Sequence, residues 1–580
     1  MNRPISSAVA ARPALLVVGA LLMILGGFLA YCIQTAGGVR VLDVRFVGTG
    51  GTPMSALLFV PPNATPKSPA PGILAVHGYF NSRETQADFA IEFARRGYVV
   101  LAMDQTGHGY SAPPAFANAF GGPDGLRYLR SLDFVDKDNI GLEGHSMGGW
   151  TVVNAAKAVP DGYKALVLEG SSTGAPFAPD GTPDFPRNLA VVFAHHDEFS
   201  TTMWGVESGA EVTHSPKLMK AFGTDTAVVP EKLYGVIADG TARTLYTPPG
   251  THPWNHLSKT AIGDAIDWFQ RTLVGGTPKP PDDQIWQWKE LGTLLAFAGF
   301  VLLLLGVIDL LLVSIPYFGV LVSAPAASID RRNGRWWASL LIGALLPAVT
   351  FFPFAQIGSQ LLPASSLLPQ AFTNEIVAWA LLNALILVLL SLVPGGGRLL
   401  SDARPGPSLL LAIMTFVIGY AAVASLYAAF KVDLRYWFMA LKPMSPGQVP
   451  IFLVYLIPFS VFFLFALRNL HAALGVRSHS AGMQYLVNIV ALVAGFVLLL
   501  LFQYGALFTS GHVPTFFMND ALRTIVAINF VPLMSIVALI ATFTFRRTST
   551  YVPGALICAA LVSWYVVVGQ ATQHPGLLSP

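Results

Sequence analysis

The chain has 580 residues, too many for one core, and its 53% hydrophobic and 12% charged content is far from that of a soluble protein. A net charge of +3 with no long basic run excludes a nucleic-acid surface, which needs clustered Lys and Arg. The only two cysteines, Cys32 and Cys558, lie in apolar runs and exclude both a disulfide framework and a thiolate metal site.

In chain order, the first apolar run is 14–33, preceded by Arg3 and Arg12. It is long and no small-x-small cleavage signal follows it, so it reads as an uncleaved anchor and not as a signal peptide. Tyr31 stands where a lipoprotein signal ending at Cys32 wants a small residue.

Acidic, basic and His residues then crowd into roughly 40–290, which predicts a water-facing domain. Segment 40–61 alternates apolar and polar residues around 48–52 and reads as a hairpin, ended by Pro61 and Pro62. Short continuous apolar runs follow at 72–76, 98–103, 140–143, 165–168 and 189–194, the pattern of strands buried on both faces. Helical patterns at 84–96, 124–132, 147–158 and 258–273 lie between and after them. Strands alternating with helices predict a mainly parallel sheet with helices on both faces. The stretch 275–285, rich in Gly and Pro, reads as a stiff polar linker. The expected organisation is an anchor at 1–36, the water-facing domain at 37–275, a linker at 276–290 and an all-α membrane domain of about eight helices at 291–580.

A hydrocarbon core about 30 Å thick takes ~20 apolar helical residues to cross. Stretches at 14–33, 291–315, 337–357, 375–393, 408–430, 450–468, 483–508, 524–545 and 552–571 meet or nearly meet that length. Lys and Arg of short loops stay preferentially on the cytoplasmic side. With the N-terminus inside, Arg331, Arg332, Arg335, Arg398, Arg404, Arg468, Arg477, Arg546 and Arg547 all fall inside. The short outer loops then hold Lys431, Arg435, Lys442 and Arg523, and residues 34–290 lie outside the cytoplasm. Trp286, Trp288, Trp336 and Trp337 fall at span ends, as interfacial residues should. The expected location is the inner membrane of a bacterium, with a lone Asn63-Ala64-Thr65 sequon weighing the other way. Asp309 is the one carboxylate clearly inside a span, with no partner cation evident in the sequence. It reads either as a functional group or as a protonated or paired structural one.

The chemistry centres on Gly144-His145-Ser146-Met147-Gly148-Gly149, a G-x-S-x-G pattern that sets a serine on a tight strand-to-helix turn. With 54 glycines in the chain the pattern is weak by itself, and Gly170-Ser171-Ser172-Thr173-Gly174 matches it too. That second match leads into a loop containing Pro and Gly, whereas Ser146 has a strand before it and a helix after it, so context selects Ser146 as the nucleophile. Such a serine needs a base and an orienting carboxylate, which follow it in the order Ser, acid, His. Asp197 comes just after the run 189–194, and His252 comes after the short apolar segment 244–246 and before the last helix. Glu198 or Glu169 remain alternatives for the acid, and His256 for the base. His195 and His196 read as loop residues, because neighbours in sequence point in different directions and make a poor metal site with Asp197. Donors for a developing oxyanion are expected from the N–H groups of Met147 and Tyr79, with His77 bracing the loop. The Gly-rich turn from Asp104 to Ser111 reads as the floor of the site.

On His77-Gly78, Asp104 to Ser111, Gly144 to Gly149, Asp197 and His252, residues 40–275 resemble the α/β-hydrolase superfamily, in particular its esterase, lysophospholipase and dienelactone-hydrolase-like branches. The resemblance implies a serine hydrolase that cleaves carboxylic esters or thioesters through an acyl-enzyme, with no metal or organic cofactor. Its expected partners are a small-molecule or lipid ester and the bilayer. Peptidase or acyltransferase chemistry fits the same triad. A transporter or receptor with a non-catalytic hydrolase-like domain is the reading from another class. Few residues follow the run 165–168 before the next strand, so a cap over the site is expected from 199–242 or from the outer membrane loops.

Overall fold

The computed structural model describes residues 13–324, 329–391 and 404–575. Arg3, Arg12 and Arg398, which entered the argument for orientation, lie outside the described residues.

Eight strands form one sheet: β1 (Arg40–Val47), β2 (Pro53–Val60), β3 (Ala70–Val76), β4 (Val99–Asp104), β5 (Val135–His145), β6 (Ala165–Glu169), β7 (Leu189–Val192) and β8 (Arg243–Tyr246). Their order is β1-β2-β4-β3-β5-β6-β7-β8. β1 and β2 form the expected hairpin, closed by Gly50 and Gly51 at φ +67° and +82°, which a side chain would resist. β2 is antiparallel to β4, and every pairing beyond it is parallel.

Alternation explains why these strands read as unbroken apolar runs. On β3, Leu74 and Val76 enter one core while Ile73 and Ala75 enter the other. The first core is covered by α3 (Gly122–Ser131) and α4 (Met147–Ala158) through Leu126, Leu129, Val152 and Val153. Residues of α2 (Ala87–Arg95) and α7 (Lys259–Thr272), among them Phe89, Phe93, Trp268 and Phe269, cover the second. Two elements differ from expectation. β5 begins at Val135 and not at 140, because Asp136, Lys137 and Asp138 at its exposed start hide the strand from a hydrophobicity reading. The helix expected at 84–96 opens as a 3-10 turn, Arg83–Gln86, whose buried charges belong to a network with the bundle described below. Between β7 and β8 lie α5 (Ser200–Trp204) and α6 (Pro216–Phe222).

The rest is helical: α1 (Pro13–Gln34), α8 (Trp286–Ser314), α9 (Gly334–Val349), α10 (Phe351–Leu361), α11 (Ala371–Ser391), α12 (Pro405–Phe430), α13 (Gln448–Leu474), α14 (Ala481–Ser510), α15 (Asp520–Thr548) and α16 (Val552–Gly569). Among the described residues, eight of these helices are each long and apolar enough to cross a membrane, and α9 with α10 makes a further, broken candidate. The run at 337–357 is therefore not one straight helix; it bends by 49°. Two prolines flank the bend, Pro347 in α9 and Pro353 in α10, and neither has an N–H to offer the carbonyl four residues before it.

α1 lies against α8 at backbone contact. Gly19 and Gly26 of α1 and Gly292, Gly299 and Gly306 of α8 face the partner helix. A Cβ on Gly26 would fall 2.5 Å from the nitrogen of Ala296, and one on Gly292 would fall 2.7 Å from that of Ala30. Small residues let apolar helices approach this closely and gain dispersion contacts. Asp309 is paired: the guanidinium of Arg547, near the end of α15, donates to it at 2.8 Å. The partner cation that the sequence did not reveal stands 238 positions away.

The bundle meets the C-terminal rim of the sheet. Tyr110 donates to Pro443 O (2.8 Å), Gln448 to Gly109 O (3.2 Å), and Thr572 exchanges backbone bonds with Gly107 and Ala115. Arg83 binds the Tyr427 hydroxyl of α12 at 2.7 Å, that hydroxyl donates to Glu84 at 2.7 Å, and Lys442 reaches Glu84 at 2.8 Å. A small hairpin of β9 (Leu434–Tyr436) and β10 (Met439–Leu441) fills the same contact.

Candidate active site

Ser146 occupies the turn between β5 and α4 at φ 54°, ψ −122°, a conformation that non-glycine residues rarely hold. The flanking glycines make this turn possible: Gly144 and Gly148 lie against one another, and a Cβ on Gly148 would meet His77 O at 2.6 Å. The serine on this strand-to-helix turn is partly exposed, while His145 and Met147 on either side are buried. Ser171, from the competing motif, is buried in a loop beside Gly149.

Asp197 and His252 come together although 55 positions separate them. His252 Nδ1–H donates to Asp197 Oδ2 at 2.9 Å, and the other carboxylate oxygen accepts from the N–H of Phe199 at 2.8 Å. Gly170, at φ +53°, leaves room for the pair, since a Cβ there would lie 3.0 Å from His252 Nδ1 and 3.3 Å from Asp197 Oδ2. Burial works against the His252 cation, but the Asp197 carboxylate outweighs it and lifts the imidazole above its ordinary value. The backbone of His252 is held as well: its N–H donates to Glu198 Oε2 at 2.7 Å, and His145 Nε2–H donates to its carbonyl at 3.0 Å.

The alternatives sit elsewhere. Glu169 is fully buried, with no hydrogen-bond partner for its carboxyl oxygens among the described residues, and burial holds its pKa well above the carboxylate range. Glu198 touches the main chain of His252 and not its ring; burial and the neighbouring Asp197 push it up to about 7. His256 packs its ring 4.0 Å from that of His145, and burial keeps it neutral. His195 and His196 stand edge to face, and His196 turns toward Phe508 of α14. Among the described residues, no group of three or more His, Cys, Asp or Glu is arranged to hold a metal ion.

Tyr79 and Met147 line the same cavity as Ser146. The loop carrying Tyr79 is fixed by two histidines. His77 Nδ1–H donates to Gly78 O (2.6 Å) while its Nε2 accepts from Gln105 N–H (3.3 Å), and His108 Nε2–H donates to Tyr79 O (2.7 Å). Burial lowers the pKa of His77 to about 3, so it braces as the neutral ring. Asp104 accepts from Ser55 Oγ, Arg83 N and Tyr110 N, which makes the Gly-rich turn a rigid floor. The sequence reading missed the contributions of His108 and His145, and also Gln573, which reaches the Tyr79 hydroxyl at 3.1 Å from the far end of the chain.

Two spaces open from Ser146. A vestibule of ≈830 Å³ lies between the sheet domain and the ends of α11, α14 and α15, with Met147, Trp150, Phe199, Phe372, Phe517 and Met518 in its wall. A narrow slot of ≈90 Å³ runs past His252 into the bundle. Of the two sources expected for a cap, 199–242 supplies Phe199 to Met203 and Glu207, and the bundle supplies the rest, including the loop between α14 and α15.

The sheet order, the strand-turn-helix that carries Ser146 and the pairing of Asp197 with His252 define an α/β-hydrolase fold. The model of the family described as Serine aminopeptidase, S33 matches residues 67–234, a stretch that ends before His252. No curated protein matches the chain. Similar solved structures include an esterase of Pyrococcus furiosus (16% identity, 40% of this chain and 94% of that one, TM-score 0.30). An esterase of Pyrobaculum calidifontis (16%, 47% and 96%, 0.30) and a dienelactone hydrolase of Anabaena variabilis (16%, 40% and 99%, 0.28) are similar to the same extent. The chain thus carries an α/β-hydrolase fold and continues into a bundle of helices apolar enough to lie in a membrane.

Proposed function

We propose that this protein is a membrane-embedded serine hydrolase that cleaves carboxylic esters or thioesters through an acyl-enzyme. Ser146 Oγ attacks the carbonyl carbon as its proton passes to His252, and Asp197 holds the imidazole in the tautomer that can accept it. The N–H groups of Tyr79 and Met147 stabilise the oxyanion, and the protonated His252 then hands its proton to the departing alcohol or thiol. Water, deprotonated by the same imidazole, releases the acid and restores Ser146. The observation that carries this reading is the 2.9 Å bond from His252 to Asp197, with His252 lining the same slot as the strained Ser146.

Labelling with a fluorophosphonate probe tests it: the wild-type protein is labelled and Ser146→Ala is not. Labelling that survives the substitution ends the assignment. Peptidase chemistry uses the same groups, and the matched family is described as an aminopeptidase, so ester and aminoacyl-amide substrates are compared side by side. The apolar walls of the slot favour the ester reading.

The same proposal places the sheet domain on the extracytoplasmic face of a cell membrane. Lys431, Arg435, Lys442 and Arg523 lie at the end of the bundle that meets this domain, and Arg331, Arg332, Arg477, Arg546 and Arg547 lie at the other. Reporter fusions at the loops after α10 and α13 read the two sides directly.

A further inference from the structure

The slot beside Ser146 does not end at the surface of the sheet domain. It continues down one face of α15, past Leu522, Ile525, Val526, Asn529, Phe530 and Leu533. These residues recur at helical spacing, so one stripe of the helix forms a continuous wall. From Leu522 to Leu533 that wall runs about 16 Å at 1.5 Å per residue. Val562 and Val566 of α16 and Ile376 of α11 face it.

Most of the polar groups lie at the upper end, near Ser146, while Asn529 of α15 and Tyr565 of α16 stand further along the slot. Arg435 and Lys442 come from the β9–β10 hairpin and its exit, and Gln570 follows α16. Both cations are already engaged, Arg435 with Asp433 at 2.6 Å and Lys442 with Glu84 at 2.8 Å. Below them, the α15 wall offers a single polar side chain, Asn529. A polar or charged ligand would lose its hydration there with little in return. An extended hydrocarbon chain loses nothing and gains burial along the whole depth.

We infer that this slot is the acyl-binding site of the enzyme, and that the substrate is an ester or thioester of a medium or long acyl chain. The inference rests on the serine hydrolase reading and deepens it. The chain threads between α11, α15 and α16 with its carbonyl at Ser146, and the alcohol or thiol portion occupies the vestibule. That vestibule has Phe517 and Met518 in its wall, both exposed, on the loop between α14 and α15. An exposed apolar rim at a helix end suits a substrate that arrives from the bilayer and not from water.

The experiment uses the full-length protein in detergent with p-nitrophenyl esters from acetyl through butyryl, octanoyl and lauroyl to palmitoyl. Specificity, kcat/KM, is expected to climb with chain length by up to about fourfold per methylene while the chain is entering the slot, and then to level off. Val526→Trp, near the top, and Leu533→Trp, near the bottom, are expected to move that levelling point to shorter chains. The shift should be larger for Val526→Trp, and the palmitoyl-to-butyryl ratio should fall at least tenfold. Leu533→Ala should move it the other way, and it reports even where a tryptophan variant fails to fold. A chain-length profile that is flat in the wild type, or that no substitution shifts, overturns the inference. Fluorophosphonate labelling of Ser146 in the same samples separates the two levels. A labelled enzyme with an unshifted profile refutes the slot alone, whereas an unlabelled wild type that turns over no ester refutes the hydrolase reading and the slot with it.

Discussion

Tyr504, on helix α14, donates its hydroxyl to Glu198 at 2.7 Å, and the other oxygen of that carboxylate takes the backbone N–H of His252 at 2.7 Å. One side chain of the bundle is therefore two hydrogen bonds from the imidazole paired with Asp197.

Tyr504→Phe removes the outer bond and leaves Glu198 half-satisfied in a buried place. A hydrogen bond of this kind contributes about 0.5–1.5 kcal/mol, so kcat is expected to fall by roughly two- to tenfold with Ser146 still reactive to a small probe. Ester kinetics set against the labelling rate check it; an unchanged kcat would mean that the bond only ties the two halves together.

The pH profile follows from His252. In the proposed reaction His252 must be neutral to take the serine proton, and Asp197 raises its pKa above the ordinary imidazole value. The value of kcat/KM is expected to fall as pH drops through a midpoint above 6.5 and to stay high on the alkaline side. Glu198, itself near 7, adds negative charge beside His252 as it ionises. Glu198→Gln should therefore shift the midpoint to lower pH, and a midpoint that stays put or rises would contradict this electrostatic account.

Gly170→Ala places a Cβ 3.0 Å from His252 Nδ1 and asks alanine to hold φ +53°. The backbone term alone costs about 1–2 kcal/mol, and the clash displaces a ring that must be aligned to well under an ångström. A loss of kcat of about 100-fold or more is expected, with near-wild-type expression, measured on a butyryl ester.

The charged cluster at the contact between the two halves predicts a stability effect. Arg83 is fully buried and joins Asp43, Glu84 and the Tyr427 hydroxyl. Arg83→Met leaves those acids facing one another with Lys442 as the remaining cation near Glu84. Breaking a buried pair from one side costs about 3–5 kcal/mol, and thermal unfolding in detergent should show a clear fall in Tm. Met fills much of the same volume, so a small change in Tm would indicate that the cluster is held by packing.

What could be read from the sequence was whatever is written in local pattern. The strands were legible because each is buried on both faces and so apolar without interruption, as at Ile73 to Val76. The places of Ser146, Asp197 and His252 after β5, β7 and β8 were legible, because the runs before them are apolar and come in the chain order such a fold uses. Pairings between distant elements were not. Arg547 with Asp309, Tyr504 with Glu198 and Lys442 with Glu84 join positions 238, 306 and 358 residues apart, and no local pattern marks them. The start of β5 was hidden by Asp136, Lys137 and Asp138. The glycines of α1 and α8 are a different case. Gly19 and Gly26, and Gly292, Gly299 and Gly306, recur every seven positions, a visible sign of a close helix pair that hydropathy does not register.

Thr572 and Gln573, almost the last described residues, bond to the loops that carry Gly107 and Tyr79. The two halves are consequently not a catalyst and a tether that an engineer could separate. A fragment running from β1 to α7 would keep Ser146, Asp197 and His252 yet lose the ceiling over them, leaving that face of the sheet domain open to solvent.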